Sequence, residues 1–375
     1  MGSQRYSPRQ KRGVLLLDLP RYLWALRPDG MARGKARPWI YVRNRGERLV
    51  RSDRGDGVAC AWQWTSELHA PRVFPALGRL LLRSALRDFP IRLAGPEGSP
   101  VSAEHPDVTF LIGHRGRDRL PHLLWTLGSI AGQKGVSLEC VVVEQDHEQT
   151  GRAHLPGWVR YVHTAPPYEG MPYCRTWAFN VGARHARGSL LVLHDNDMLV
   201  PETYAAELAD KHRRGYQVIN LKRLIFYLSE NHTRRLFEGS ASLADCAPER
   251  IIQNLEAGGS LAVDRDAYLA LGGMDEGFVG WGGEDNEFWD RALTRSVYPF
   301  GYLPIVHLWH PPQPGRRAVD GRGATTAQLS ARRAAVAPAA RIEELRRRDF
   351  GNPLSPNPKP PLAAELGPGP AVSPR

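Results

Sequence analysis

The stretch Ser189-Leu-Leu-Val-Leu-His-Asp-Asn-Asp197 decides the fold. Leu190 to Leu193 is an unbroken apolar run, too short for a helix and fit for a strand buried on both faces. It ends abruptly in His194 and two carboxylates. Upstream, Val108-Thr-Phe-Leu-Ile112, Leu138-Glu-Cys-Val-Val-Val143 and Trp158-Val-Arg-Tyr-Val162 repeat the pattern. Between them, Arg117 to Ile130 sets Leu120, Leu123, Leu124, Leu127 and Ile130 on one helical face, and Thr176 to Ala186 reads as a second helix. Strands alternating with helices predict an α/β fold with a mostly parallel sheet covered on both faces. Ligands of such sheets bind beyond the carboxyl ends of the strands. The acids that follow Leu193 therefore stand where chemistry is expected.

Outward from this core the chain changes character twice. Residues 1–100 read as a small accessory domain of uncertain fold, closed by the linker Ala94-Gly-Pro-Glu-Gly-Ser-Pro100. Within it, Trp39 to Val42 and Gly57 to Trp64 look like strands and Val73 to Leu86 like a helix. Residues 101–315 form the central domain. Beyond it, Ala327 to Arg348 reads as helical apart from Pro338, and residues 352–375 as a Pro-rich disordered tail.

Charge divides the same way. Of the net +11 over 375 residues, residues 1–100 carry +11, residues 101–315 carry −6 and residues 316–375 carry +6. An acidic centre argues against a nucleic-acid-binding protein, for which a basic total is otherwise the usual pointer. The basic flank reads most plainly as a solvated Arg-rich surface. Its functional reading is peripheral contact with an anionic membrane surface. At 42% hydrophobic and 24% charged residues the chain is neither disordered nor fibrous. No run approaches the ~20 apolar residues of a membrane span, and Asp18 and Pro20 break the greasy segment Val14 to Leu19. Neither a signal peptide nor a transmembrane helix is expected, and the expected location is cytoplasmic. Cys60, Cys140, Cys174 and Cys246 form no CxxC pair, which excludes a zinc ribbon and suits buried, reduced thiols.

Three motifs carry chemistry. In His194-Asp-Asn-Asp197, the carboxylates of Asp195 and Asp197 lie two apart in extended chain, point the same way, and can serve one cation and the ligand it holds. A solvated acidic turn is the plainer reading of such a short motif; the buried strand before it favours the functional one. In Gly280-Trp-Gly-Gly-Glu-Asp285, glycines hold Trp281 beside Glu284 and Asp285 at a helix start. Capping explains either acid alone, but not the indole and Gly282-Gly283. An indole beside carboxylates suits a sugar ring, apolar face on the ring and hydroxyls on the acids. In His307-Leu-Trp-His310, two imidazoles three apart can meet Asp197 on one metal. Imidazole suits Mn²⁺ or Zn²⁺ better than Mg²⁺.

Taken in order from about Val108 to His310, these elements resemble the inverting GT-A glycosyltransferases, and most closely the β-1,4-galactosyltransferase family with its related bacterial family 2 domains. Gly113-His-Arg-Gly-Arg117 is similar to that family's Pro-Phe-Arg-Asn-Arg loop, and Val143-Glu-Gln145 to its Glu-Gln. Tyr173-Cys-Arg175 with Asn180-Val-Gly182 resembles its Phe-Asn-Arg and Asn-Val-Gly. His194-Asp-Asn-Asp197 resembles its His-Asp-Val-Asp, and Ala257-Gly-Gly-Ser260 its Ala-Gly-Gly-Val-Ser. Gly280 to Asp285 matches its Gly-Trp-Gly-Gly-Glu-Asp outright, and His307-x-x-His310 resembles its metal pair.

The resemblance implies a GT-A fold, Rossmann-like with helices on both faces, and a metal-dependent inverting glycosyltransferase. A UDP-sugar would donate galactose or an N-acetylhexosamine to a hydroxyl of a glycan, glycolipid or other acceptor. It implies Asp285 as general base and Glu284 as a contact to sugar hydroxyls. Arg115, Arg117, Glu144, Arg175, Asn180, Asp195, Gly259, Trp281, Gly282 and Gly283 would line the nucleotide and substrate site. Asp197, His307 and His310 would hold Mn²⁺, with Mg²⁺ as the second choice. Gly113-His114, Gly116, Tyr173-Cys174 and Asn286 depart from the family pattern at nucleotide and acceptor contacts, so the sugar stays open. The rival readings are a catalytically inactive sugar- or nucleotide-binding domain on the same fold, disfavoured by the intact acids and histidines, and a nucleic-acid-binding protein.

Overall fold

The computed structural model describes residues 6–26, 39, 42, 47–51, 58–61, 65–95, 97–312 and 324–354. The deciding run is the strand Leu190–His194, buried throughout. It lies in a seven-stranded sheet ordered Val297–Tyr298, Val218–Ile219, Ser260–Asp264, Leu190–His194, Val108–His114, Leu138–Glu144, Val159–His163. The last four strands are parallel. Ser260–Asp264 runs antiparallel to both its neighbours, and the edge pair is again parallel. The mixed α/β class and the mostly parallel sheet are as read from the periodicity.

Alternation along these strands builds two cores. Phe110 and Ile112, Cys140 and Val142, Leu190 and Val192 face one side with Leu123, Leu127 and Ile130 of helix Leu120–Ala131. Leu111, Val141, Val143, Leu191 and Leu193 face the other, with Trp177, Phe179 and Val181 of helix Arg175–His185. A period of two sends neighbours to opposite faces, and each fully buried side chain of this size stabilises by roughly 1.5–3 kcal/mol. Val108–His114 sits between strands that follow it in the chain on either side, so its connections leave in opposite directions. In open α/β sheets a ligand crevice belongs at such a reversal, here beside the carboxyl ends of Val108–His114 and Leu190–His194.

A second sheet, ordered Ser66–Leu68, Arg250–Gln253, Lys222–Tyr227, Leu303–His307, Met198–Leu199, brings in the histidine motif. Leu303–His307 pairs antiparallel with Met198–Leu199, His307 opposite Met198, so the backbone itself holds Asp197 and His307 together.

The reading of residues 1–100 as a separate unit is corrected. Ser66–Leu68 pairs with Arg250–Gln253, and Val58–Ala61 with Phe300–Gly301. Leu68, Leu81, Leu82 and Phe89 share a core with the main sheet. Glu47 is fully enclosed, accepting from Arg223 Nη1 at 2.7 Å and Nη2 at 3.0 Å and from Gln253 Nε2 at 3.1 Å. Within the linker, Gly98 N–H donates to the Gly95 carbonyl at 2.8 Å. The helix read over Val73 to Leu86 is two, Ala70–Val73 and Pro75–Asp88, because the residue before Pro75 resists helical backbone. Of the strand read over Trp39 to Val42, only the end residues are described.

The C-terminal segment also packs. Helices Ala324–Ala334 and Pro338–Arg346 break at Pro338 as read. Arg333 and Arg348 pair with buried Asp275 at 2.7 and 3.1 Å, and buried Arg341 meets Glu287 at 3.2 Å. Of residues 352–375, read as a disordered tail, Asn352 is held, its carbonyl accepting from Trp177 Nε1 at 2.7 Å, and residues 355–375 lie outside the described residues. Cys140, Cys174 and Cys246 are buried free thiols. Among the described residues no helix is long and apolar enough to cross a membrane.

Candidate active site

Asp197, His307 and His310 converge at the crevice, one potential ligand atom of each lying within 4.8 Å of the others. His307 Nε2 stands 3.6 Å from Asp197 Oδ1, and His310 Nε2 stands 3.4 Å from Oδ2. Burial alone would raise the Asp197 carboxyl. His307, Arg119 and His310 together hold it well below the usual carboxylate range. Burial lowers His307 to about 4, which keeps its imidazole neutral and able to donate a lone pair. Tyr227 stacks on that ring with centroids 4.4 Å apart. Asp197 Oδ1 and His307 Nδ1 are buried with no hydrogen-bond partner. An orphaned buried carboxylate oxygen beside the neutral imidazole of His307 and the ring of His310 is a donor set that fits a divalent cation.

A second cluster is built on one guanidinium. Arg175, at the start of its helix, donates from Nε to Asp195 Oδ1 at 2.7 Å and from Nη1 to Asp285 Oδ1, and stands 3.9 Å from Glu284 Oε1. Its Cζ lies 4.6 Å over the Phe179 ring. Asp195 is raised by burial and by Asp197 and Asp285, with Arg175 opposing. Burial and neighbouring Asp285 push Glu284 up to about 7, Arg175 again opposing. One cation thus ties the acid that follows Leu190–His194 to the acids of the Gly-Trp-Gly-Gly loop, Arg175 and Asp285 being 110 residues apart in sequence.

The loop holds these acids by its backbone. Gly283 caps helix Glu284–Ala292 with φ of +91°, a conformation costly for other residues. Gly282 N–H donates to Glu284 Oε2 at 3.0 Å. At Gly258, a side chain would place its Cβ 2.8 Å from Asp285 Oδ2, so only glycine lets the 258–259 turn approach that oxygen. Gly259 meanwhile accepts the Asp195 N–H at 2.8 Å. Trp281 is 50% exposed at the rim, and its carbonyl accepts from Thr326 Oγ1 at 3.0 Å.

Not every residue read into the site faces it. Glu144 is corrected to a loop anchor: Oε1 accepts from Thr150 Oγ1 at 2.7 Å and Gly151 N at 2.9 Å, and Oε2 accepts from Tyr161. Asn180 is corrected likewise. Fully buried, it donates to Met274 O and Glu276 Oε1, both at 2.8 Å, and accepts from Tyr268 at 2.5 Å. Arg115 braces two loops through the carbonyls of Gln145 at 2.5 Å and Met171 at 2.6 Å. Arg117 stands exposed on the turn that follows.

Two cations escaped the sequence reading. Arg119 Nη2 donates to Asp197 Oδ2 and, at 2.8 Å, to Asn196 Oδ1. The alternation Arg115, Arg117, Arg119 was the signal available for it. Lys222, fully buried, donates from Nζ to the Ser260 carbonyl and is lowered to about 7 by burial, with Asp285 and Asp195 opposing. Nothing local in the sequence marks it.

Residues 249–302 match a family model described as the N-terminal domain of galactosyltransferase. The span contains the turn at Gly258 and Gly259 and the whole Gly-Trp-Gly-Gly-Glu-Asp loop, and it ends before His307. No curated protein matches the chain. Among solved structures, the chain is similar to the catalytic domain of Drosophila β1,4-galactosyltransferase 7 in complex with xylobiose. The identity is 17% over 58% of this chain and 78% of that one, with a TM-score of 0.33. It is also similar to a mannosyltransferase from Pyrobaculum calidifontis in complex with GDP-Man and Mn²⁺, at 17% identity over 74% of this chain and 78% of that one, TM-score 0.41. The chain resembles glycosyltransferases, and its galactosyltransferase-like segment is the one that frames Asp285.

Proposed function

We propose that this chain is a metal-dependent, inverting glycosyltransferase that moves a sugar from a UDP-sugar to an acceptor hydroxyl. The observation that carries the reading is the convergence at one crevice of Asp195, Asp285 and Glu284 on Arg175, beside the triad Asp197, His307 and His310. Asp285 Oδ1 is engaged by Arg175, while Oδ2 lies toward Gly258 of the glycine turn, which presents no side chain of its own to it. In this role Oδ2 takes the proton of the acceptor hydroxyl as its oxygen attacks the anomeric carbon from the face opposite the leaving group, which inverts that centre. General-base catalysis of this kind contributes ~10²–10⁴-fold. Glu284, near neutrality, can donate or accept a hydrogen bond to a sugar hydroxyl. Trp281 offers its exposed face to the ring. Asp195 accepts from the ribose. A divalent cation held by Asp197, His307 and His310 would neutralise the charge that builds on the diphosphate. The donor of first choice is UDP-galactose, with the UDP-N-acetylhexosamines next.

The test is a release assay without acceptor: free UDP is measured across a panel of UDP-sugars with and without Mn²⁺. Release from at least one donor, dependent on the cation and lost in Asp197→Ala, is expected. A chain that binds UDP-sugars yet releases no UDP from any of them would instead be the inactive binding domain.

A further inference from the structure

The N-terminal helix Pro8–Leu26 turns Asp18 inward and leaves Leu15, Leu16, Leu17 and Leu19 exposed. Asp18, the only acidic residue on this helix, is buried and accepts the Ala70 backbone N–H at 2.5 Å. It also pairs with Arg21 at 3.4 Å, and Arg21 donates to Glu67 O and Ser66 Oγ, both at 2.6 Å. Val14 packs on the core one turn earlier and Tyr22 is buried one turn later. Residues 14, 18 and 22 therefore fix the inward stripe. The helix cannot roll without stranding a buried carboxylate. With 3.6 residues per turn, that register puts Arg9, Arg12, Leu16 and Leu19 on one outward stripe. Leu16 is 74% and Leu17 71% exposed, and Leu15 and Leu19 are exposed beside them. A lone exposed leucine is ordinary. Four among five consecutive positions, held outward by a buried ion pair and preceded by exposed Arg9, Lys11 and Arg12, are not.

We propose that this helix docks in the plane of an anionic lipid bilayer. Leu16 and Leu19, flanked by Leu15 and Leu17, enter the boundary between headgroups and acyl chains, and Arg9 and Arg12 on the same stripe meet the headgroup charge. Charge complementarity selects this occupant. A second copy of the chain would set the same cations against themselves. The proposal is independent of the sugar-transfer reading and gives the basic flank a specific contact surface.

The full chain is sedimented with vesicles of phosphatidylcholine, with and without phosphatidylglycerol. Binding to the anionic vesicles alone, weakening with salt, is expected. It should fall by about tenfold or more in Leu16→Glu/Leu17→Glu and in Arg9→Glu/Lys11→Glu/Arg12→Glu. Leu293→Glu, at an exposed leucine elsewhere, should bind as the unaltered chain does. All the altered side chains are solvent-facing, so unchanged thermal melts are expected and are measured alongside. No binding to anionic vesicles, or full binding by the Leu16/Leu17 variant, overturns the proposal. So does a concentration-dependent dimer in light scattering that the same leucine changes dissolve, since the face would then belong to a second copy.

Discussion

At the scale of single residues, the site is a contest among charges. Asp285→Asn keeps the shape and removes the basic oxygen. Its turnover should drop by ~10²-fold or more with UDP binding intact, read as kcat against calorimetric Kd. Arg119 holds Asp197 in the place where a divalent cation would bind. Arg119→Ala removes that competitor, so Mn²⁺ titration followed by electron paramagnetic resonance should show tighter binding, on the order of tenfold, equivalent to ~1.4 kcal/mol. Unchanged affinity would mean that the guanidinium does not oppose the metal. Glu284 gives a pH signature. Its folded pKa of about 7 lies above that of the unfolded chain, so the native state binds the extra proton. Stability from this group is present at low pH and is lost as pH rises through 7. Glu284→Gln should melt higher than the unaltered chain above pH 7, by roughly 1–3 kcal/mol, and the gain should vanish toward pH 4. The acids, the histidine pair and Trp281 were legible in the sequence because their types and local spacing already state a chemistry. Glu144 and Asn180 were misplaced because a motif fixes where a residue stands in the chain, not which way its side chain points. Arg119 and Lys222 reach the site through packing between distant segments, which no local pattern encodes.

At the scale of elements, the parallel strands and their helices were readable because apolar runs and helical spacing have few other solutions. The mixed pairing around Ser260–Asp264 was not, since strand direction depends on contacts across the sheet. The helix Glu284–Ala292 owes its start to Gly283, where a Cβ would also come within 3.0 Å of Ser330. Gly283→Ala should cost ~1–2 kcal/mol for the left-handed backbone. Because the cost falls on the loop holding Asp285, activity should drop much more than the melting temperature. A large loss of stability with normal specific activity in the folded fraction would show that the loop adapts.

At the scale of the molecule, composition divided the chain into three charged regions, but packing does not. Net charge mostly reports the surface, and a buried pair of opposite charges cancels in the sum. Glu47 and Arg223 make the point: both are fully buried, and they join the first hundred residues to the second sheet. Glu47→Ala leaves the guanidinium enclosed without its partner and should destabilise the whole protein by ~3–5 kcal/mol, seen as one cooperative shift in a denaturant melt. Two separate transitions, with only the first shifted, would restore an independent N-terminal domain.

The helices after residue 323 have a consequence for how the molecule comes into being. Every acid and histidine named in the site has been synthesised once His310 is added, yet the loop bearing Trp281 and Gly283 leans on Thr326 and Ser330, which are made later. A nascent chain would thus own its full set of reactive groups before it owned their arrangement. Chains interrupted by a premature stop just past Pro312 should accumulate as inert protein, incapable of premature chemistry during translation.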